Sequence, residues 1–338
     1  MSDSPTQDGG KLFERLVSGD VAALARAITA VENNWPMARE ILSRARGKAG
    51  HASVIGITGP PGAGKSTLIS AYIGALRRDK RRVAVVAVDP ASPISGGAFL
   101  GDRFRMKAHT QDRGVFIRSV STRGHLGGLC AGIVSIVDII DAAGWDMILL
   151  ETVGAGQSET EVADIADINI VVQAPGLGDD IQALKAGILE IADVLVVNKA
   201  DMPLADQTFR QRQTMLMMRD GDPELTAIVK TVATKETGID RLKTEIDSRI
   251  ANQGVSDRKH RSHNTMKRFL AREAAQRVEH MILTMHHPKF DILFDAVLAG
   301  ERDLDSAVQQ MLDLLTDVNS SDRRLKTTPA MRDGDPDL

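Results

Sequence analysis

The feature that most constrains the fold is a glycine-rich segment, GPPGAGKST (59–67), which lies between an apolar run and a helical pattern. The run SVIGIT (53–58) is typical of a buried strand, and the segment after it fits the pattern G-x-x-x-x-G-K-S. Its glycines allow backbone N–H groups to turn inward around a phosphate at the first turn of a helix. The order of strand, loop and helix therefore predicts a nucleotide-binding α/β fold of the P-loop type.

Two side chains of this loop suit the charged parts of a nucleoside triphosphate. We expect the Lys65 ammonium to lie across the β- and γ-phosphates as a catalytic charge, and the Ser66 hydroxyl to bind magnesium. The backbone around them should surround the phosphates. The predicted nucleotide-binding residues of the loop are Gly59, Pro61, Gly62, Ala63, Gly64, Lys65, Ser66 and Thr67.

The chain beyond this loop alternates between short apolar runs and helical patterns. About seven such runs, from SVIGIT to TAIVKTVA, indicate buried parallel strands with helices between them. We predict a P-loop domain (51–250) whose mostly parallel central sheet is flanked by helices. An N-terminal helical extension (1–50) precedes it, and a C-terminal helical dimerisation region (260–318) and a disordered tail (319–338) follow. The dimerisation role is inferred from a long methionine-rich apolar stripe in this C-terminal region.

The composition argues against several classes of protein. The 338 residues carry a net charge of −3 and 3% aromatic side chains, which does not favour a nucleic-acid partner. The single cysteine cannot form a disulfide within the chain. The first ten residues match neither a signal peptide nor a transit peptide, and no stretch approaches the roughly 20 apolar residues of a membrane span. We expect a cytoplasmic protein without a membrane partner.

Two further segments bring carboxylates to the predicted phosphate site. The strand DMILLET contains Glu151, which is expected to reach magnesium through water or to orient the attacking water. Gly154 follows, where a backbone N–H meets the γ-phosphate. Asp89 ends another strand, at the sheet edge where ligands bind in such folds. We predict that Asp89 binds magnesium or positions water, and that Asp102, in the glycine-rich loop after it, is a further magnesium-side carboxylate.

The tetrapeptide NKAD (198–201) follows the sixth predicted strand and fits the pattern N-K-x-D. The Asp201 carboxylate accepts from N1–H and the 2-amino group of guanine, whereas adenine presents an acceptor at N1 and would leave the carboxylate unpaired. The Lys199 stem is expected to lie over the base, and Asn198 completes the motif. After the seventh strand, the backbone N–H of Ala233 is expected to meet guanine O6. Together with the upstream phosphate motifs, NKAD predicts a guanine nucleotide as the ligand.

These motifs together resemble the MeaB/ArgK (MMAA-like) family of G-protein chaperones. The resemblance covers residues 50–240 and rests on GPPGAGKST, VDPASPISGGAFLGDRFRM, STRGHLGGL, ETVGAGQSE and PGLGDDIQALKAGILEIADVLVVNKAD. It implies a homodimeric GTPase that binds GTP or GDP with Mg²⁺ and serves methylmalonyl-CoA mutase, by gating adenosylcobalamin loading and protecting or reactivating the enzyme. It also implies a partner-responsive switch segment, in which Lys185 contributes to catalysis. The switch residues are Asp179, Asp180, Gln182 and Lys185.

The hydrolysis predicted for this chain is slow without its partner, because no arginine finger is evident within the chain. Two alternatives remain open. One is a nickel-insertion GTPase of the hydrogenase or urease maturation type, although the closely spaced His280, His286 and His287 read better as helix-end residues. The other is a transport-protein kinase, which the guanine motif disfavours.

Overall fold

Three helices precede the sheet in the part of the chain that the structure describes. The computed structural model describes residues 8–89, 107–121, 128–152, 162–176, 191–217, 226–252 and 288–325, with several more between 267 and 284. The helices are α1 (Gly9–Val17), α2 (Val21–Glu32) and α3 (Ala38–Arg46). Asp20 precedes α2, and its carboxylate accepts hydrogen bonds from the backbone N–H groups of Ala22 and Ala23. This cap fixes the start of α2, because a carboxylate satisfies N–H groups that have no partner within the helix.

The predicted strands form one seven-stranded sheet. They are β1 (Ser53–Thr58), β2 (Val83–Asp89), β3 (Val115–Ser121), β4 (Met147–Thr152), β5 (Ile168–Gln173), β6 (Val194–Val197) and β7 (Ala227–Lys230). The spatial order is β3-β2-β4-β1-β5-β6-β7, and every neighbouring pair is parallel. The predicted α/β fold with a parallel central sheet is confirmed.

The strand order changes direction at β1, and this determines where a ligand can bind. β1 pairs with β4 on one side, where Ile57 is level with Glu151, and with β5 on the other, where Thr58 is level with Val171. Ligands of open parallel sheets bind beyond the carboxyl ends of the strands, where the connections leave in opposite directions. The loop that leaves β1 is the glycine-rich segment, so the fold places that segment at this crevice.

Helices cover both faces of the sheet. On one face, α4 (Lys65–Arg78) and α7 (Ile239–Asn252) share an apolar core with alternate residues of the strands. On the other face, α1 to α3 and α5 (Gly128–Ala142) share a second core with β2, β3 and β4. The N-terminal helices, which the sequence predicts as a helical extension, therefore lie in the same compact unit as the sheet, Met1–Arg277. A sequence pattern shows that a helix has an apolar face but not which surface covers it.

A buried carboxylate connects the N-terminal helices to β1. Asp141, near the end of α5, accepts hydrogen bonds from the backbone N–H groups of Gly50 at 2.5 Å and Ala52 at 3.0 Å. Each bond satisfies a donor in the short connection between α3 and β1, where no secondary structure does so. This anchor holds the start of β1, and β1 leads directly into the glycine-rich loop.

In the second compact unit, Val278–Leu338, the described residues include the helices α8 (Pro288–Leu298) and α9 (Leu304–Leu325). α9 runs past residue 318, after which the sequence predicts a disordered tail. The polar residues there carry no helix breaker before Pro329, so their polarity alone does not end the helix. Within the described residues no helix is both long and apolar enough to cross a lipid bilayer.

Candidate nucleotide-binding site

The loop between β1 and α4 depends on glycines in conformations that other residues rarely adopt. Gly59 has a φ of +141°, and a Cβ atom there would lie 2.1 Å from the carbonyl oxygen of Val172 in β5. Gly64 precedes α4 with a φ of +90°, and a Cβ atom there would lie 2.5 Å from Nδ2 of Asn198. Both positions require glycine, because neighbouring segments approach the backbone too closely for any side chain. The loop therefore contacts both β5 and the segment after β6.

Lys65 is buried inside this loop although it carries a charge. Its ammonium donates to the carbonyl oxygens of Gly59 at 2.6 Å and Pro60 at 3.3 Å. The loop carbonyls thus hold the charge at the start of α4, where the helix dipole also favours an anion. A phosphate placed there would meet both the ammonium and the N–H groups of the first helical turn.

Ser66 and Glu151 form a buried pair at the end of β4. The Ser66 hydroxyl donates to Oε1 of Glu151 at 2.8 Å, and both side chains are almost inaccessible to solvent. Next to them, the Thr152 hydroxyl donates to the Thr58 hydroxyl at 3.1 Å. A hydroxyl and a carboxylate oxygen are the donor types that Mg²⁺ prefers, so these residues fit the predicted magnesium site. Among the described residues, no cluster of three or more His, Cys, Asp or Glu side chains could hold a metal ion by itself.

Asn198 joins three separate segments at the end of β6. Its Nδ2 donates to the carbonyl oxygen of Ala63 at 2.9 Å, so the glycine-rich loop is tied to the NKAD segment. Its Oδ1 accepts from the Thr231 hydroxyl at 3.1 Å and from the backbone N–H of Ala233 at 3.2 Å. The N–H of Ala233, predicted to meet guanine O6, is therefore bonded to Asn198 in this structure. Because Asn198 is buried, each of these bonds satisfies a group that solvent could not.

Of the two charged residues of the NKAD segment, Asp201 is exposed and Lys199 is half-buried. Asp201 pairs with Lys235, whose ammonium lies 3.0 Å from Oδ2. This hydrogen bond holds the pKa of the Asp201 carboxyl below its usual range, so the group is ionised at neutral pH. Lys199 has a φ of +56°, and its Cε lies 3.9 Å from the position that a Cβ atom on Gly64 would take. The lysine stem is thus close to the loop that would hold the phosphates.

Several predicted site residues lie outside the described residues. Asp89 is the last residue of β2, which places its backbone at the ligand edge of the sheet, but its side chain is not among those described. The others are Asp102, Gly154, Asp179, Asp180, Gln182 and Lys185.

The structure also reveals contacts that the sequence did not indicate. Gln173, at the end of β5, is buried and its Oε1 accepts from Nε of Arg212 in α6 (Ala205–Met217) at 2.6 Å. Burial lowers the pKa of the Arg212 guanidinium. Thr231 is the buried donor to Asn198. α6 carries polar residues on all sides, so no periodic signal marked Arg212 as buried.

Comparison with known proteins agrees with this geometry. Residues 24–285 match the family described as "Methylmalonyl Co-A mutase-associated GTPase MeaB". The chain belongs to the MeaB family of GTPases. The predicted resemblance is therefore confirmed, and membership of this family implies binding of guanine nucleotides.

Individual known proteins are similar to more than half of the chain. A putative GTPase of Pyrococcus horikoshii is 41% identical over 312 residues, which are 90% of this chain and 97% of that one. GTPase ArgK of Escherichia coli is 44% identical over 193 residues, 56% of this chain and 58% of that one. The crystal structure described as LAO/AO transport system kinase has a TM-score of 0.73 at 26% identity, covering 93% of this chain and 100% of that one.

Proposed function

We propose that this chain binds GTP at the carboxyl ends of β1, β4 and β6 and hydrolyses it to GDP and phosphate. The observation that carries the proposal is the buried Asn198 side chain, which bonds to Ala63 of the glycine-rich loop and to Ala233 beyond β7. One side chain thus holds a phosphate loop and a base loop at a fixed spacing. A ligand that fits both must carry phosphates at one end and a base at the other.

The base loop favours guanine because of the charge on Asp201. Its ionised carboxylate accepts two N–H groups from the edge of guanine but meets a lone pair on N1 of adenine. Adenine would leave this charged acceptor unpaired. A polar site of this kind therefore discriminates between the two bases more strongly than a hydrophobic pocket could. Lys199 supplies an aliphatic stem beside the loop of Gly64, where it would cover one face of the base.

Each residue proposed for the phosphate end of the site has a distinct role. Lys65 places a positive charge against the β- and γ-phosphates, and Ser66 and Glu151 would hold Mg²⁺. When bound, Mg²⁺ would neutralise charge on the phosphate oxygens. Glu151 would also orient the attacking water, and Asp89, at the end of the neighbouring strand β2, would position water or bind magnesium. Asp102, Gly154 and Lys185 complete the proposed set on the switch segments.

The biological role we propose is that of a chaperone for methylmalonyl-CoA mutase or a related cobalamin-dependent acyl-CoA mutase. The nucleotide state would gate loading of adenosylcobalamin and protect or reactivate the mutase. The support is the family description, which names an association with this mutase. A homodimer is proposed from the second compact unit, where apolar side chains are exposed on α8 and α9. These residues are Ile292, Phe294, Leu298, Leu304, Val308 and Leu312.

The base assignment is tested by the nucleotide preference of the wild type and of Asp201→Asn. The wild type should bind GDP at least 100-fold more tightly than ADP. Asp201→Asn should bind GDP roughly 10- to 100-fold more weakly and bind xanthosine diphosphate better than the wild type does, because the new amide donates to the C2 carbonyl of xanthine. Asp206→Asn is the matched control, since Asp206 makes a similar exposed ion pair with Lys230 outside the site. Equal affinity of the wild type for ADP and GDP would instead support a kinase.

The partner assignment needs a separate experiment. The full chain, loaded with a non-hydrolysable GTP analogue, should retain a cobalamin-dependent mutase from native extract, and the purified mutase should raise its GTP turnover. Lys185→Ala should lose most of this stimulation while keeping its basal rate of GTP hydrolysis within about twofold, because the proposal assigns the charge of Lys185 to the partner-stimulated reaction. If Lys185→Ala is stimulated as strongly as the wild type, Lys185 has no part in the response.

A further inference from the structure

Lys235 is held rigidly beside the base loop by its own backbone. It ends a short 3-10 helix, Ala233–Lys235, in which its N–H donates to the carbonyl oxygen of Val232 at 2.9 Å. Val232 in turn donates to Thr237 at 2.9 Å, which closes a tight turn. Because Ala233 is also bonded to Asn198, the backbone of Lys235 is fixed relative to the NKAD segment.

The ammonium of Lys235 lies on the carboxylate that the proposed function assigns to guanine. Its distance to Oδ2 of Asp201 is 3.0 Å, within the range of a charge-assisted hydrogen bond. Guanine presents its N1–H and 2-amino groups side by side, and these need both oxygens of the carboxylate. The lysine and the base therefore meet at the same oxygen atom.

The position of Asp201 does not depend on this ion pair. The neighbouring Ala200 N–H donates to the carbonyl oxygen of Thr231 at 3.0 Å, and the N–H of Met202 donates to Lys199 at 3.0 Å. Both bonds are between backbone groups, so they persist when the lysine is replaced. Removal of the Lys235 charge should leave the carboxylate in place and more available, because a competing donor has gone.

We propose that Lys235 competes with guanine for Asp201 and so lowers the affinity of the site for its nucleotide. The inference rests on the proposed function, in which Asp201 reads the base. The lysine compensates the negative charge of the carboxylate. Nucleotide binding has to displace it or weaken its bond, which favours release and exchange. A protein whose output depends on its nucleotide state would use such a competitor to release GDP.

The test compares Lys235→Met with Lys230→Met in the full-length protein, with GDP and ADP as probes. Lys235→Met should bind GDP about two- to fivefold more tightly than the wild type, the size expected for loss of an exposed ion pair. Lys230 forms the same kind of pair with Asp206 outside the site, so Lys230→Met should leave GDP binding unchanged. Lys235→Arg keeps the positive charge and should behave like the wild type.

Salt dependence distinguishes competition from a structural effect. At about 1 M salt, exposed charges are screened, so the wild type and Lys235→Met should approach the same GDP affinity. Weaker or equal GDP binding by Lys235→Met at low salt, or a gain that persists at about 1 M salt, would overturn the proposal while leaving the guanine preference intact. A wild type without preference for GDP over ADP would overturn the proposed function, and this inference with it.

Discussion

The phosphate end and the base end of the site are built differently. The phosphate end comprises the loop 59–67 and Glu151, and its charged and polar side chains are 8% exposed at Lys65 and 1% exposed at Glu151. The base end comprises 198–201 and 233–235, where the Asp201 and Lys235 side chains are 42% and 65% exposed. Buried charges interact strongly and are hardly screened, whereas exposed pairs contribute little and respond to salt.

This difference follows from where each end is attached. Lys65 and Glu151 are at the ends of elements inside the sheet core, α4 and β4, so packing fixes them before any ligand arrives. Asp201 and Lys235 are in connections after β6 and β7, which run over the surface. We expect the phosphate end to supply most of the affinity, and the base end to supply selectivity that can be adjusted. Asn198 is buried yet belongs to the base end, so it couples the two.

The largest effect should come from Lys65→Ala, which removes the charge at the phosphate end. The rate of GTP hydrolysis should fall about 10²- to 10³-fold. A preorganised hydrogen-bond donor that faces the charge developing in the transition state, in a site that excludes water, contributes a rate factor of this size. The ratio of GDP to ADP affinity should stay unchanged, since the base end is intact. Steady-state turnover and equilibrium binding measure the two quantities. Arg78→Ala is the control, because it removes a cation at the other end of the same helix.

A loss of base selectivity in Lys65→Ala would contradict the division of the site into two ends.

The two variants that act on the base end should give the complementary pattern. Asp201→Asn should reduce the ratio of GDP to ADP affinity, whereas Lys235→Met should raise it slightly. A hydrolysis defect in Lys235→Met at saturating GTP would show that the exposed pair also acts on the phosphates.

The strands and the two motifs of the site could be predicted from the sequence, because each is marked by residues that are close together in the chain. Strand runs, the G-x-x-x-x-G-K-S pattern and N-K-x-D each lie within a few residues, and the helix cap at Asp20 needs only its own neighbours. The predicted strands appear in the sheet for this reason.

The contacts that join these pieces could not be predicted in the same way. Asn198 meets Ala63 across 135 positions of the chain, and which backbone groups it satisfies depends on the packing of three loops. Two other contacts also depend on how segments distant in the chain pack together, namely Arg212 with Gln173 and Lys235 with Asp201. The burial of the N-terminal helices against the sheet is likewise a tertiary property, since an amphipathic pattern fits many surfaces.

Asn198→Ala addresses the coupling itself and should have a smaller effect on turnover than Lys65→Ala. It leaves the Ala63 carbonyl and the Ala233 N–H without their partner in a buried place, at a cost of about 1–3 kcal/mol in the free energy of unfolding. Urea unfolding measures this loss, and GDP affinity should fall roughly 10-fold, with a lower ratio of GDP to ADP affinity. The control is Asn169→Ala in β5, where the amide bonds to Ala163 at 3.2 Å.

The result for Asn198→Ala separates two ways in which the ends can be connected. If the asparagine holds both loops, phosphate affinity and base selectivity should fall together, because the spacing between the loops is lost. If only the selectivity falls, the glycine-rich loop is held by β5 through the close contact at Gly59 and does not need Asn198. That outcome would contradict the coupling and make the two ends independent, with the exposed pair of Asp201 and Lys235 left as the adjustable part of the site.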